Sequence, residues 1–179
     1  MASAKTKETY KLDRVLLRNF KSYAGDQEIG PFSTFSSIVG PNGAGFMQFV
    51  RDVQTETDSF PGKSNILDAI CFVFCLDMQA IRIKSFSQLV HTGPSHTGES
   101  TFVRVIFSSS EGEELAFERE IVIKDTDTDG VKDATTIDRV DGTRLKLSDY
   151  VLNLKEIGID PEAKNFLVQQ VGFDRDVLP

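Results

Sequence analysis

The chain has 179 residues, of which 40% are hydrophobic and 26% are charged, an ordinary composition for a globular domain large enough to bury a core. No apolar run reaches the roughly 18 residues of a membrane span, and the opening MASAKTKETYK lacks the apolar centre of a signal peptide, so we expect an intracellular protein that contacts no membrane. The formal net charge is −7, whereas the first 21 residues contain six basic and two acidic side chains. Any contact with nucleic acid is therefore expected to be local.

Strand patterns and one apolar helix occupy the first half of the chain. Residues 10–20 and 26–29 are predicted to pair as strands, and residues 34–39 form a third strand that runs into glycines. From residue 64 to 76 the sequence SNILDAICFVFCL is apolar nearly all round, which predicts a buried helix. Its two cysteines, four residues apart, are expected to be buried small hydrophobes, since the other ligands of a zinc site are absent from this stretch.

Between the third strand and the helix, residues 40–65 read GPNGAGFMQFVRDVQTETDSFPGKSN. Joining Gly45 directly to Lys63 would give GPNGAGKSN, a complete G-x-x-x-x-G-K-S phosphate-binding loop, but 17 residues (46–62) interrupt it. In an intact loop the backbone N–H groups surround the β-phosphate and the helix start adds its positive dipole end. Lys63 would then reach the β- and γ-phosphates, and Ser64 would bind Mg²⁺.

The interrupting segment has two interpretations. Phe46, Phe49, Val50 and Val53 have the spacing of a short amphipathic helix, which could form a regulatory lid on the surface. We favour translated intron sequence, because the codons of Gly45-Phe46 can contain a splice donor and those of residues 60–62 an acceptor. Removing the segment would restore the motif in frame.

The second half of the chain alternates between strands and turns. Strands are predicted at 101–107, 113–124 and 134–140, with Leu115, Phe117, Ile121 and Ile123 on one face of the second. The acidic stretch 125–130 and the pair 141–142 are expected to be turns. A helix over 147–157 is predicted to begin with Ser148 as its cap and to end at Gly158, and 165–170 would be a last strand. The fold class is α/β, with a mixed, largely antiparallel sheet and one buried helix after the phosphate loop.

Several segments together resemble the N-terminal half of the ATPase head of the structural maintenance of chromosomes (SMC) family, whose members are ABC-type ATPases. They are RNFKSYAGDQEIGPF at 18–32, the rejoined GPNGAG and KSNILDAICFVF, IRIKSFSQLVHTG at 81–93, and KNFLVQQ at 164–170. The motifs occur in the family's order. EGEELAFEREI and the NFLV ending look most like the first cohesin ATPase subunit, whereas KSYAGDQEIGPF looks as much like the larger condensin subunit.

The resemblance implies a role for individual residues. Gln170 matches the glutamine that senses Mg²⁺ and the attacking water, although Val171-Gly172-Phe173 departs from the family. Arg82 matches the arginine that lies near nucleotide and DNA. The phosphate loop that holds ATP corresponds to Gly40, Asn42, Gly43, Gly45, Gly62, Lys63, Ser64 and Asn65.

The resemblance also divides the chain and suggests its partners. Residues 1–170 would form the N-terminal half of the head, with 46–62 an insert, and 171–179 would be a tail foreign to the family. A full-length family protein would act in the nucleus on chromosomes, with a second SMC subunit, a kleisin and DNA as partners. The signature motif, the Walker B aspartate with its catalytic glutamate and the switch histidine are not recognisable. The alternatives are a self-contained small P-loop NTPase or kinase, and a binding module with no nucleotide.

Overall fold

The computed structural model describes residues 9–39, 47–50, 59–60, 63–79, 81, 83–92, 101–124 and 133–163. Two helices and a 3₁₀ turn accompany the strands: α1 is Lys63–Val73, α2 is Leu147–Glu156, and the 3₁₀ turn is Phe86–Leu89. The strands are β1 (Tyr10–Phe20), β2 (Tyr23–Ile29), β3 (Ser37–Val39), β4 (Met47–Val50), β5 (Ser59–Phe60), β6 (Thr101–Ser109), β7 (Glu114–Lys124), β8 (Asp133–Val140) and β9 (Thr143–Leu145).

Six of these strands form one sheet in the order β2-β1-β6-β7-β8-β9, and each neighbouring pair is antiparallel. β6 to β9 follow one another along the chain, so this part is a meander. β1 joins the meander through β6, with Val15 opposite Val105. The largely antiparallel sheet expected from the sequence is confirmed.

One face of this sheet carries the core. Val15, Leu17, Val105 and Phe117 are all buried on this face. Helix α1 packs on the same face, and Phe74, the residue that follows the helix, stacks on Phe107 with ring centroids 6.1 Å apart. Burying aromatic and branched side chains between a helix and a sheet supplies most of the driving force for such a fold.

The opposite face is covered by charged side chains of both signs. Arg139 donates to Glu118 at 2.7 Å and to Glu120 at 2.8 Å, and Arg104 donates to Glu118 at 2.7 Å. On the next strand Arg18 pairs with Asp26 at 2.6 Å. Partners of opposite charge lie directly across from each other on neighbouring strands, so the charged side chains of this face are paired with one another.

The structure corrects some expectations and confirms others. The strands predicted at 10–20, 101–107, 113–124 and 134–140 are present, and β7 buries the predicted face. The helix predicted to reach residue 76 ends at Val73, and Cys75, which follows it, adopts a positive φ of 56°. Cys71 is buried as expected, whereas Cys75 is only partly buried. Ser148 is not the cap of α2, because the cap position is Lys146, whose side chain makes no capping bond. Gly158 does follow the end of α2, with φ 91°.

Candidate nucleotide-binding site

Helix α1 begins at Lys63 and is eleven residues long. Its first turn contains no acidic side chain, and Ser64 is exposed there. The N-terminal end of a helix presents unpaired N–H groups and a positive dipole end, and both favour an anion. The residues present at this end therefore fit a phosphate group, and an exposed hydroxyl fits a Mg²⁺ ligand.

Two strands from the interrupting segment, β4 and β5, form a small sheet with β3, the strand that precedes the glycines in the sequence. β4 pairs antiparallel with β3, with Val39 opposite Gln48, and β5 pairs with β4, with Gln48 opposite Ser59. β3 and β5 are therefore parallel and separated by one strand, so that Val39 and Ser59 lie roughly 10 Å apart. β5 then leads into α1. The lid helix suggested by the apolar spacing is wrong at Met47–Val50, which is a strand; Phe46 and Val53 lie outside the described residues.

The turn between β1 and β2 contacts the start of α1. The ammonium of Lys21 pairs with Asp68 at 2.5 Å, and both side chains are about four-fifths buried. Nδ2 of Asn65 donates to Oγ of Ser22 at 2.5 Å. Two side chains of α1, one in its first turn and one in its second, are thus bound to consecutive residues of one turn.

The same turn is held from its other side by residues 89–91. The N–H of Lys21 donates to the carbonyl of Leu89 and the N–H of His91 donates to the carbonyl of Asn19, both at 2.7 Å. Nδ1 of His91 lies 2.7 Å from the carbonyl oxygen of Lys21. A carbonyl can only accept, so Nδ1 carries the proton.

Backbone conformation marks this turn as unusual. Asn19 has φ 48° and Lys21 has φ 49°, in the left-handed region that non-glycine residues rarely occupy. The side chain of Asn19 is buried, and its Oδ1 accepts from the N–H of Gly25 at 2.8 Å. Such a conformation persists where surrounding contacts impose it, and here the contacts come from α1 on one side of the turn and from residues 89–91 on the other.

At its C-terminal end α1 is held by two long-range donors. The guanidinium of Arg119, on β7, donates to the carbonyl of Phe72 at 2.8 Å, and the hydroxyl of Tyr150, on α2, donates to the carbonyl of Val73 at 3.0 Å. The last carbonyls of a helix have no partner within it, so these bonds satisfy them. A cation there also suits the negative end of the helix dipole.

Arg119 is itself buried and paired. It donates to Asp138 at 2.7 Å and to Thr136 at 3.1 Å, both on β8, and its guanidinium carbon lies 4.8 Å from the ring centroid of Phe72. Burial raises the pKa of the nearby Cys75 thiol to about 11, and burial also raises the pKa of Tyr150. The charges of Arg119 and Asp138 cancel and their polar atoms are hydrogen-bonded, so this cluster has a structural role.

Most of the predicted site residues lie outside the described part of the chain: Gly40, Asn42, Gly43, Gly45, Gly62, Arg82 and Gln170. The predicted strand 165–170 lies outside it as well. Lys63, Ser64 and Asn65 fall in the first turn of α1 as expected. Sequence reasoning missed Lys21, Asp68 and Arg119. Arg119 had a signal, since it lies on the same face of β7 as Phe117 and Ile121.

Two negative findings concern other kinds of site. Within the described ranges, no helix has the length and apolar character needed to cross a membrane. The same residues bring together no group of three or more His, Cys, Asp or Glu side chains that could hold a metal ion.

Known proteins similar to this chain share one family name. No protein-family model matches the chain. It is 32% identical to structural maintenance of chromosomes protein 1 of Arabidopsis thaliana over 164 residues, which are 89% of this chain and 11% of that protein. It is also 32% identical to structural maintenance of chromosomes protein 4 of Dictyostelium discoideum over 173 residues, again 89% of this chain and 11% of that protein. The chain spans about one tenth of the length of these curated relatives.

A solved structure from a study of the ATP-driven dimerization and DNA-stimulated activation of SMC ATPases has the same fold. It superimposes with a TM-score of 0.64 at 27% sequence identity, covering 88% of this chain and 86% of the other. The sequence similarity and the structural similarity both point to SMC proteins, and each extends over most of the chain. We conclude that this chain belongs to the structural maintenance of chromosomes family and has the fold of an SMC ATPase head.

Proposed function

We propose that this chain is the N-terminal part of a chromosome-organising SMC ATPase, cohesin-like in type, and that its ATP site is interrupted. The observation that carries the proposal is helix α1, which begins at the GKSN of the motif on a fold matched to an SMC ATPase head. In the full-length protein, ATP with Mg²⁺ would bind here. A second SMC subunit, a kleisin and DNA would be its partners, at chromosomes in the nucleus.

Each predicted site residue keeps its proposed role. Lys63 and the glycines of 40–45 would surround the phosphates, Ser64 would be a Mg²⁺ ligand, and Arg82 would lie near the nucleotide. Gln170 would bind Mg²⁺ and orient the attacking water. The exposed Ser64 and the absence of an acidic residue in the first turn of α1 support this arrangement.

The position of β4 supports the proposal that the ATP site is interrupted. A phosphate-binding loop needs its glycine N–H groups and its lysine around one phosphate, whereas β4 lies between the strand that precedes the glycines and the strand that leads to α1. Losing two hydrogen bonds to a charged group costs roughly 3–6 kcal/mol, or about 10² to 10⁴ in affinity. Lengthening the loop by 17 residues costs only about 1 kcal/mol in closure entropy. The insert should therefore weaken ATP binding much more than it destabilises the fold.

We further propose that residues 46–62 and 171–179 are translated intron sequence, and that 1–170 without the insert is the N-terminal half of the head. Gln170-Val171-Gly172 can contain a second donor-like codon run, after which the family pattern stops. Sequencing the transcript across codons 45–63 and beyond codon 170 tests this. Recovering only messages that carry both segments, with no intron at either point in the gene, would refute it.

Calorimetric titration with ATP and Mg²⁺ tests the interrupted site. The chain as it stands is compared with a variant that lacks residues 46–62, and Lys63→Ala in the shortened variant is the control. Restoring the glycine loop should tighten binding by at least about 10²-fold, and Lys63→Ala should abolish the gain. Equal affinities before and after the deletion would contradict the proposal.

A self-contained P-loop enzyme would need a Walker B aspartate on a buried parallel strand. The best sequence match, residues 121–125, begins in β7, which is antiparallel to both β6 and β8. We therefore expect no ATP turnover above background from the purified chain, with or without DNA. Turnover that disappears in Lys63→Ala would instead support the self-contained enzyme.

A further inference from the structure

The turn Asn19–Ser22 touches α1 at its first and second turns and touches residues 89–91 at the same time. We propose that this turn is a positioning clamp, which sets the direction of the helix start that carries Lys63 and Ser64. The identity of the ligand at that helix start rests on the proposed function, whereas the clamp is argued from contacts within the chain alone.

Two contacts make the clamp on the helix side. Asp68 receives the Lys21 ammonium at 2.5 Å in a largely buried setting, where an ion pair is stronger than at the surface. Asn65 donates to Ser22 at 2.5 Å. The two side chains are three residues apart on α1 and therefore project from the same side of the helix. Two attachments on one side restrict rotation of the helix about its axis as well as its tilt.

Three bonds fix the other side of the clamp. Leu89 and His91 bond to the backbone of Lys21 and Asn19 at 2.7 Å, and the His91 ring bonds the Lys21 carbonyl. The left-handed conformations of Asn19 and Lys21 are thus imposed by the fold. A rigid turn transmits position, whereas a mobile loop would only follow the helix.

Asn65 gains a second role beside the one expected from the GKSN motif, because one hydrogen of its amide nitrogen is donated to Ser22. We assign Asn65, Lys21, Ser22 and Asp68 as positioning residues that act through Lys63 and Ser64.

Amide hydrogen exchange on the full chain tests the clamp without any nucleotide. The readout is the exchange rate of the α1 amides of residues 67–69, with the amides of Val103 and Val105 on β6 as the internal reference. Lys21→Met should speed exchange at 67–69 at least fivefold and leave β6 within twofold. Arg18→Met is the matched control, because Arg18 lies on β1 and pairs with Asp26 on β2, away from α1.

Rescue separates positioning from general destabilisation. Lys21→Arg keeps the charge, and the exchange of Lys21→Asp with Asp68→Lys restores an ion pair; both should return the α1 rates to within about twofold of the original. Unchanged rates in Lys21→Met, equal acceleration in α1 and β6, or failure of both rescues would overturn the clamp. If the chain without residues 46–62 binds no ATP, the proposed function fails and the exchange result still stands by itself.

Discussion

Removing the guanidinium of Arg119 should destabilise the protein more than any surface charge change. The side chains of Arg119 and Asp138 are only 5% and 6% exposed, so Arg119→Met leaves a carboxylate buried without its partner. Breaking a buried ion pair in this way costs about 3–5 kcal/mol. The Phe72 carbonyl loses a donor as well. Because the same substitution causes both losses, this one is already included in the penalty of about 3–5 kcal/mol and is not added to it.

Chemical unfolding followed by far-ultraviolet circular dichroism measures this loss, since the chain has no tryptophan to report by fluorescence. Arg18→Met is the control; its ion pair with Asp26 is largely exposed and should be worth less than about 1 kcal/mol. Because a domain of this size has a stability of only about 5–15 kcal/mol, Asp138→Asn, which keeps an acceptor for Arg119, provides a milder second variant.

A double variant sharpens the argument. Arg119→Met combined with Asp138→Leu removes both charges and fills the space with apolar groups, and such replacements are often neutral or stabilising. The double variant should therefore be more stable than Arg119→Met alone. Two results would refute the reasoning: a loss below about 1 kcal/mol for Arg119→Met, or a double variant that is no more stable than Arg119→Met alone.

Three further predictions concern separate parts of the fold. Gly30 has φ 144°, and a Cβ there would lie 2.7 Å from the Cβ of Arg14, so Gly30→Ala should lower the unfolding free energy by at least about 2 kcal/mol. The control Gly112→Ala, also at positive φ but in open space, should lower it by about 1 kcal/mol. Tyr150→Phe should cost about 1–2 kcal/mol in urea unfolding, because the buried Val73 carbonyl loses its hydroxyl donor and keeps only the weak Cys75 thiol at 3.7 Å; no loss would show that the Tyr150 bond contributes nothing. Burial raises the Cys75 pKa from 9.0 to about 11, so the protonated thiol stabilises the fold below pH 9 and that contribution is lost as pH rises toward 11; in a Cys71→Ala background at pH 9, alkylation should run about 50-fold slower in the folded than in the unfolded chain, and equal rates would contradict the raised pKa.

Alternation was enough to predict β6, β7 and β8 of the meander, whereas the short strand β9 was not predicted. The period-2 pattern of β7 indicated its buried face, and Asp141-Gly142 marked the hairpin between β8 and β9, where both residues adopt positive φ. What alternation could not supply was register. The pairing of Arg119 with Asp138 depends on which residues of β7 and β8 lie opposite each other, and the acidic sequence of 125–130, which lies outside the described residues, predicts a turn without fixing this register.

The candidate site was predictable only in its motif. GKSN at a helix start was recognisable, but the turn Asn19–Ser22 that holds the helix contains no glycine or proline to mark an unusual backbone. Its left-handed Lys21 is imposed by residues 89–91, some 70 positions later in the chain, so no local pattern carries it. The lid helix failed for a related reason, since pairing with β3 overrode a helical spacing of only a few residues.

The two donors at the C-terminal end of α1 also bear on the order of folding. Arg119 is 47 residues from Phe72 and Tyr150 is 77 from Val73, whereas β6 to β9 form contacts between neighbouring segments. Closing the longer loops costs more chain entropy, so the meander should assemble first and α1 should dock onto it late. Stabilising contacts made after the rate-limiting step act on the unfolding rate. The bond from Tyr150 to α1 would then govern how long the native state persists, and Tyr150→Phe should speed unfolding while leaving the folding rate unchanged; a slower folding rate would place the helix in the nucleus instead.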